Sequence, residues 1–250
     1  MSNRPTDRSG TLSGRVAVVT GASSGVGRAI TLALSREGVR VFAIGRDAAR
    51  LAETVEMAGR FSPAFAFQID LATSGSELAV HQRVREQTPK LDILVHAAGL
   101  IHQGPMEHAS IEDLDAQYAT NVRAPYALTK SLLPLLTPSS GQIVFINSSA
   151  GLVAKRPEIG QYSATKHALK AVADSLREEV NPRGIRVLTV YLGRTATPMQ
   201  EALYREEGRH YHPEALIQPE DIASSVVHAL MLPATVEVTD ISMRPMRKSH

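Results

Sequence analysis

Short apolar runs alternate along the chain with longer segments in which apolar residues recur at helical spacing. The apolar runs predict seven strands, at residues 15–20, 39–44, 64–69, 91–95, 142–146, 185–191 and about 236–243. The segments between them predict helices at residues 28–36, 47–58, 74–87, 111–136, 162–180 and 219–232. Asp47 is a plausible N-cap of the second helix. Strands that alternate with helices are typical of right-handed crossovers, so the pattern predicts an α/β protein with a parallel sheet.

Two long segments interrupt this alternation and show no periodic pattern. They span residues 148–161 and 193–218, and each follows a predicted strand. The carboxyl ends of parallel strands meet at one edge of a sheet, where open α/β folds bind ligands. We therefore expect both segments at a functional site.

The rest of the chain is organised as one domain. Residues 1–13 are polar and lack the apolar stretch of a signal peptide, which predicts a loose N-terminal leader. Residues 14–250 contain neither a linker nor a repeat, so a single domain is predicted. No apolar run approaches the roughly 18 residues of a membrane span. We expect a cytoplasmic protein without a membrane partner.

Composition narrows the function classes. Of 250 residues, 43% are hydrophobic and 21% are charged, which is typical of a folded globular domain. The formal net charge of +2 comes from scattered arginine and lysine residues without a basic run, so no nucleic-acid partner is expected. The chain has no cysteine, which excludes disulfides, thiolate catalysis and cysteine-ligated metals.

A glycine-rich turn joins the first strand to the first helix. It reads Thr20-Gly21-Ala22-Ser23-Ser24-Gly25-Val26-Gly27. Glycines allow a ligand to approach the backbone closely, and the N-terminus of the following helix offers unpaired N–H groups to a pyrophosphate. The turn predicts a nucleotide site, and a tight turn with a purely structural role is the alternative.

A tyrosine and a lysine stand one helical turn apart in the fifth predicted helix. Tyr162 and Lys166 share a helix face because residues at i and i+4 are neighbours. A phenol has a pKa of roughly 10, and a neighbouring ammonium group favours the phenolate and lowers that pKa. The pair is a candidate acid/base unit, with an ordinary surface helix as the alternative.

Together the two motifs resemble one enzyme family. T-G-x-x-x-G-x-G at residues 20–27 and Y-x-x-x-K at residues 162–166 resemble the short-chain dehydrogenase/reductase family, from about Leu12 to the C-terminus. The resemblance implies a single Rossmann-type, doubly wound domain of about seven mostly parallel strands with helices on both faces. It also implies an oxidoreductase that transfers a hydride between a nicotinamide cofactor and a small carbonyl or secondary alcohol, and a homodimer or homotetramer.

The resemblance places the cofactor contacts at the carboxyl ends of the strands. The residues implied are Gly21, Ser23, Ser24, Gly25, Val26, Gly27, Asp70, Leu71, Ala97, Ala98, Gly99, Tyr162, Lys166, Gly193, Thr195 and Thr197. Asp70 would accept from the adenine amine, and an Asx-type turn is its structural alternative.

Two of these segments depart from the family pattern. His96 and Ala97 stand where the family has two asparagines, and we expect His96 to be a hydrogen-bonded structural histidine. Leu192 replaces the proline of the family's P-G-x-x-x-T segment, so a less rigid turn is expected before Gly193.

The end of the second strand indicates which nicotinamide cofactor is preferred. Dehydrogenases that choose NAD place an acid there against the ribose 2′-hydroxyl, whereas a 2′-phosphate needs a cation. The chain has Gly45 at the position of that acid and Arg46 next to it. A guanidinium group can bind phosphate with two hydrogen bonds. We expect NADP(H) in preference to NAD(H), although NAD(H) also remains an option. The structural alternative is that Arg46 is solvated and binds no phosphate.

The catalytic residues implied are Asn121, Ser148, Tyr162 and Lys166. Tyr162 would give or take the proton, and Ser148 would bind the substrate oxygen. Lys166 would lower the pKa of the phenol and bind the nicotinamide ribose. Ser148 matches the family pattern better than Ser149, but the pattern alone does not separate the two neighbours.

Asn121 lies four residues before Pro125 within the fourth predicted helix. Proline has no N–H, so the Asn121 carbonyl loses its helical partner and the helix should be distorted there. The family resemblance implies that this asparagine binds a water in a proton relay.

The substrate is the least defined part of this prediction. Lys155, Arg156 and Arg194 lie in the two long segments, where they suit an anionic hydroxy or keto acid or form a solvated charged face. Residues 198–218 correspond to the family's mobile substrate lid. His210 and His212 lie in that lid without further ligands at suitable spacing, so no metal is expected. The alternative functions are a catalytically weak, NADP-binding regulatory or scaffold protein, and a non-redox epimerase or dehydratase.

Overall fold

Seven parallel strands form one sheet in the computed structural model, which describes residues 11–246. The strands are β1 (Val16–Thr20), β2 (Arg40–Gly45), β3 (Ala64–Gln68), β4 (Ile93–His96), β5 (Gln142–Ser148), β6 (Arg186–Leu192) and β7 (Asp240–Met243). Their order in the sheet is β3-β2-β1-β4-β5-β6-β7, and every pairing is parallel. The predicted α/β fold with a doubly wound parallel sheet is confirmed.

Helices cover both faces of the sheet. They are α1 (Gly25–Arg36), α2 (Ala48–Gly59), α3 (Ser76–Gln87), α4 (Ile111–Tyr118), α5 (Ala124–Leu136), α6 (Gly160–Val180), α7 (Pro198–Glu206) and α8 (Pro219–Met231). One apolar layer contains side chains of α1, α2 and α8, and the other contains side chains of α3, α5 and α6. Because both faces are covered, the central strands are continuous apolar runs, as in β1, whose five residues are all buried.

The strand order reverses beside β1. This strand pairs with β2 on one side and with β4 on the other, with Ala17 opposite Ile93 in the second pairing. The chain therefore leaves β1 and β4 in opposite directions, which opens a crevice at their carboxyl ends. Ligands of open α/β sheets bind at such a point.

The N-terminal boundary of the domain differs from the prediction. Of the predicted leader at residues 1–13, residues 1–10 lie outside the described part of the chain. Leu12 is fully buried and belongs to the core. The predicted start at residue 14 is therefore too late, because a single apolar residue in a polar segment gives no periodic pattern.

The helix predicted at residues 111–136 is interrupted in its middle. Between α4 and α5 the backbone forms a π-helix over Ala119–Arg123, and the Ala124 N–H bonds to the Ala119 carbonyl five residues earlier. Pro125 stands at the beginning of α5. The predicted distortion at Asn121 is confirmed, since that residue lies at the centre of the π-helix.

The second segment that was predicted to be irregular contains a helix. In α7 the Thr197 hydroxyl accepts the Gln200 N–H at 3.2 Å, and Pro198 occupies the first turn. A threonine cap followed by proline is a helix-start signal, so the prediction of an irregular 193–218 segment is wrong over α7.

Candidate active site

A cavity of about 600 Å³ lies at the carboxyl edge of the sheet, over the crevice between β1 and β4. Its walls come from the glycine turn, the ends of β2, β3, β4, β5 and β6, and the first turns of α6 and α7. The structure brings together there nearly all the residues predicted from the sequence: Gly21, Ser23, Ser24, Gly25, Val26, Gly27, Arg46, Asp70, Leu71, Ala97, Ala98, Gly99, Ser148, Tyr162, Lys166, Gly193, Thr195 and Thr197. Asn121 does not line the cavity but lies behind it, almost fully buried.

The glycine turn has no room for side chains at two of its glycines. A Cβ atom at Gly21 would lie 2.7 Å from the Ala97 carbonyl oxygen, and one at Gly27 would lie 2.3 Å from the Gly21 carbonyl oxygen. The Ser23 hydroxyl is buried and has no hydrogen-bond partner among the described residues. A tight turn, the N-terminus of α1 and an unpaired hydroxyl together suit a pyrophosphate, so these residues fit a dinucleotide cofactor.

The end of β2 carries no acid at the position that contacts the ribose in NAD-dependent relatives, because Gly45 stands there. A Cβ atom at Gly45 would lie 2.0 Å from the Ser23 hydroxyl oxygen. Arg46 is exposed at the cavity wall, and its guanidinium makes no ion pair within residues 11–246. Asp47 caps α2 by accepting the Arg50 N–H at 3.0 Å, as predicted. A cation is thus available here for a phosphate.

Asp70 forms the turn that was its structural alternative. Its carboxylate accepts the Ala72 N–H at 2.9 Å, and its side chain is exposed at the cavity wall. The second carboxylate oxygen and the exposed edge leave room for a further contact.

Thr20 joins β1 to the segment after β4, where the family's asparagines are missing. Its hydroxyl accepts the N–H groups of Ala97 and Ala98 at 3.0 and 3.1 Å and donates to the Val95 carbonyl at 3.3 Å. His96 is buried, hydrogen-bonded to Thr129 at 2.8 Å, and burial lowers the pKa of His96 to about 3. The prediction of a structural histidine is confirmed, and Thr20 is a positioning residue that the sequence analysis did not single out.

Asn121 fixes the loop after β4 to α6. Its side-chain carbonyl accepts the Leu100 N–H at 2.8 Å, and its amide donates to the Leu100 carbonyl at 2.8 Å and to the Thr165 hydroxyl at 3.0 Å. The side chain is therefore fully engaged, which leaves the backbone carbonyl as the group through which Asn121 could bind a water.

Ser148 and Tyr162 face each other across the cavity. Ser148 ends β5, and its hydroxyl accepts the Ala150 N–H at 3.1 Å. The side chain of Ser148 lies close enough to the phenol to favour its ionised form, whereas Ser149 is exposed. Of the two serines that the pattern left open, Ser148 has the geometry expected of the substrate-binding hydroxyl.

Burial dominates the ionisation of Tyr162. Although its ring is partly exposed to the cavity, burial raises the pKa of Tyr162 to about 12, against the smaller opposing effect of Ser148. The Lys166 ammonium lies 5.7 Å from the ring centre, and burial lowers the pKa of Lys166 to about 8. Desolvation, rather than the expected effect of Lys166, therefore controls the pKa of the phenol in this structure.

Asn147 joins the end of β5 to α6 and was not predicted. Its buried amide donates to the Lys166 carbonyl at 3.1 Å, and its carbonyl oxygen accepts the Ser148 N–H at 2.8 Å. A Cβ atom at Gly151 would lie 2.7 Å from the Lys166 carbonyl oxygen, so α6 can approach β5 only if residue 151 is glycine. A polar residue that ends an apolar strand is the signal that could have identified Asn147.

The segment after β6 crosses the cavity towards the glycine turn. The Gly193 N–H donates to the Met243 carbonyl at 2.8 Å, which ties this segment to β7. Thr197 contacts the glycine turn, since a Cβ atom at Gly25 would lie 2.9 Å from its methyl group. Leu203 of α7 lines the cavity from above.

Residues 11–246 contain no group of three or more potential metal ligands. His210 and His212 are in ring contact, and His212 pairs with Glu214 at 3.1 Å. Within the same residues, none of the helices combines the length and the apolar character that crossing a membrane requires.

Known proteins share this arrangement. A family model described as short chain dehydrogenase matches residues 15–208. An uncharacterized short-chain type dehydrogenase/reductase of Sinorhizobium fredii is 36% identical over 235 residues, which cover 92% of this chain and 91% of the relative. Among solved structures, a metagenomic short-chain oxidoreductase in complex with NADP is 30% identical, with a TM-score of 0.80, and the match covers 95% of this chain and 99% of the other. L-sorbose reductase from Gluconobacter frateurii, complexed with NADPH and L-sorbose, is 26% identical, with a TM-score of 0.84 and coverage of 93% and 96%. The chain therefore belongs to the short-chain dehydrogenase/reductase family of oxidoreductases.

Proposed function

We propose that the protein is an NADP(H)-dependent oxidoreductase that interconverts a small carbonyl compound and the corresponding secondary alcohol, with Tyr162 as general acid and base. The observation that carries the proposal is the meeting of Ser148, Tyr162 and Lys166 at one end of a cavity whose other end is the glycine turn. When bound, the nicotinamide supplies or accepts the hydride. The chain supplies the proton and holds the substrate oxygen.

Tyr162 is suited to donate the proton in the direction of reduction. With a pKa of about 12 the phenol is protonated at neutral pH, so it can transfer its proton to the substrate oxygen as that oxygen gains charge. Ser148 donates a second hydrogen bond to the same oxygen. In the direction of oxidation the alcohol proton returns to the tyrosine.

Lys166 has two tasks in this proposal. Its ammonium favours the phenolate that is left after proton transfer, and its three donors can bind the hydroxyl groups of a ribose. Asn147 and Gly151 hold the Lys166 backbone in place. Asn121 supports the neighbouring turn of α6 through Thr165 and, through its backbone carbonyl, is the proposed water ligand.

The preference for NADP(H) is argued from the end of β2. Arg46 offers an unpaired guanidinium among the described residues, and Gly45 leaves the neighbouring position without a carboxylate that would repel a phosphate. Two of the compared structures were solved with NADP or NADPH. The remaining implied contacts, at Asp70, Leu71 and the segment after β6, belong to the same proposal.

The homodimer or homotetramer and the cytoplasmic location expected from the sequence remain part of this proposal. Ile111, Tyr118 and Tyr126 are at least half exposed along α4 and α5, and burial of such side chains between copies would stabilise an oligomer. Light scattering on the purified protein, compared with a Tyr126→Arg variant, measures the oligomeric state. A monomeric wild type would contradict the proposed oligomer.

The function is tested by following NADPH oxidation against a panel of aldehydes and ketones. Tyr162→Phe should lower kcat by roughly 100-fold or more, because it removes the proton donor. It should still bind NADPH, as measured by cofactor fluorescence. Tyr118→Phe, an exposed tyrosine on α4, is the matched control. Near-wild-type turnover in Tyr162→Phe would show that the assignment is wrong.

A further inference from the structure

The end of the cavity at Ser148 and Tyr162, which we call the substrate end, is lined by charged side chains of positive sign only. Its charged lining residues are Arg156, Lys166 and Arg194, whereas the carboxylates of the lining, Asp47 and Asp70, stand at the opposite end, after β2 and β3. An ordinary carbonyl compound is neutral and gives no reason for this asymmetry. The charge distribution instead favours an anion beside the reacting carbonyl.

A partly buried carboxylate, Glu207, holds the arginines at this end with a single negative charge. Glu207, 14% exposed, accepts from Arg156 at 2.7 Å, from Arg194 at 3.2 Å and from Arg209 at 3.0 Å. Although burial raises the pKa of Glu207, hydrogen bonds from these arginines outweigh that effect and keep the pKa below its ordinary value. Of these arginines, Arg156 and Arg194 line the cavity, and Glu207 supplies one negative charge against their two positive charges.

Two hydrogen-bond donors beside this cluster lack acceptors. The Nη1 atom of Arg194 and the Nε2 atom of Gln200 are buried and have no partner among the described residues, and both side chains line the cavity. An unpaired buried donor costs about 1–3 kcal/mol. Arg194 is also held in place by stacking over the ring of Tyr204, 4.7 Å from its centre. Arg194 is thus a fixed cation in the cavity lining, and it and Gln200 each have one buried donor that lacks an acceptor among the described residues.

We propose that the substrate is an anionic carbonyl compound whose carboxylate is bound by Arg194 and Gln200 while its carbonyl lies at Ser148 and Tyr162. This inference rests on the proposed function, since it names the substrate class of the same site. Of the three cations considered from the sequence, Arg194 makes the contact. Arg156 is largely committed to Glu207 and to Gln103, at 3.0 Å.

The test uses pairs of compounds that differ only in charge. Pyruvate, acetoacetate and levulinate place the carboxylate at increasing distance from the ketone, and each is compared with its methyl ester in NADPH oxidation. We expect the acid of at least one pair to exceed its ester in kcat/KM by roughly 10- to 100-fold, the range of a hydrogen-bonded charge. Raising the salt concentration should increase KM for the acid and leave KM for the ester unchanged.

Arg194→Gln should reduce the acid-to-ester ratio to near one, and Arg194→Lys should restore part of it. Arg205→Gln is the matched control, because Arg205 is on α7 but is 79% exposed and pairs only distantly with Glu201. If Arg194→Gln fails to fold, the salt dependence of KM in the wild type still tests whether a cation binds the substrate carboxylate. A ratio near one in all three pairs, or a preference for neutral sugars such as L-sorbose, would overturn the proposal.

Binding separates failure of this inference from failure of the proposed function. Levulinate and its methyl ester are titrated calorimetrically into wild type and Arg194→Gln, each saturated with NADP. Tighter binding of the acid to wild type alone would support the anion site even if no compound were reduced. Equal binding of acid and ester, together with reduction of neutral ketones, would refute the anion site and leave the oxidoreductase function standing.

Discussion

Removing the buried charge of Lys166 should stabilise the protein while it disables the site. Lys166 is 4% exposed, and its ammonium donates to the Ile146 carbonyl over a long 3.3 Å. Burial lowers the pKa of Lys166 from 10.5 to about 8, which means that the folded protein disfavours the charged form. Methionine has a similar length and no charge, so Lys166→Met removes the desolvation cost with little change in packing.

The magnitude follows from the difference in pKa. The change from 10.5 in the unfolded chain to about 8 in the folded protein corresponds to about 3 kcal/mol, at about 1.4 kcal/mol per unit. Loss of the hydrogen bond offsets about 1 kcal/mol. At pH 7, where Lys166 is charged in both states, the variant should be more stable by about 2 kcal/mol.

The difference should depend on pH. Between about pH 8 and 10.5 the unfolded wild-type chain binds one proton more at this site than the folded chain, so wild-type stability rises relative to the variant by about 1.4 kcal/mol per pH unit. The advantage of the variant should therefore vanish near pH 9.5. Below pH 8 both states bind the proton and the difference should be constant.

Urea unfolding followed by circular dichroism at pH 7, 8.5 and 9.5 measures this difference, with NADPH turnover in parallel. Lys170→Met, one helical turn further along α6, is the matched control. The Lys170 side chain is 39% exposed and pairs with Asp174, whose hydrogen bond raises the pKa of Lys170. Removing the Lys170 ammonium should therefore not stabilise the folded protein. A Lys166→Met variant that is less stable than wild type at pH 7, or a difference that does not change with pH, would refute the reasoning.

Three further predictions concern the cofactor end of the cavity. Gly27→Ala places a methyl group 2.3 Å from a carbonyl oxygen of the turn, so urea unfolding should show a loss of about 1–3 kcal/mol and NADPH should bind more weakly. Gly59→Ala, where nothing lies within 4 Å, should be neutral or slightly stabilising, and equal effects of the two would contradict the clash. Arg46→Asp should lower the NADP-to-NAD ratio of kcat/KM by about 10-fold or more. The control variant Arg60→Asp, at an exposed arginine, should leave that ratio unchanged. An unchanged ratio in Arg46→Asp would contradict the phosphate contact. Asp47→Ala removes the cap of α2, which accepts a backbone N–H at 3.0 Å, and should cost about 1 kcal/mol in the same unfolding assay; an unchanged midpoint would contradict that role.

The strands were predictable because both faces of the sheet are buried, which makes each central strand a continuous apolar run. The largest shortfall at a strand end is at β5, whose last two residues are polar. β5 extends two residues beyond the predicted end, to Asn147 and Ser148, because the Asn147 amide is buried through its bonds to Lys166 and Ser148 rather than through apolar packing. Hydrophobic patterns cannot detect a polar group that is buried by its partners.

The part of the site that depends on distant contacts could not be predicted. Arg156 and Glu207 are 51 residues apart in the chain, and no local pattern indicates that they pair. The pKa of Tyr162 is another example. The i, i+4 spacing of Tyr162 and Lys166 was visible, but whether the ammonium or the desolvation controls the phenol depends on the packing around both side chains.

The position of β1 between β2 and β4 also sets how long the growing chain must wait during synthesis before this strand is paired on both sides. β1 needs β4 on one side, and the paired residues Ala17 and Ile93 are 76 positions apart. At roughly 5–20 residues per second, the ribosome takes roughly 4 to 15 s to make that partner. During this time a strand composed of Val, Ala, Val, Val and Thr has one unpaired edge. The strand that organises the finished site is thus also an exposed apolar edge in the nascent chain, where a chaperone that binds apolar extended segments would act.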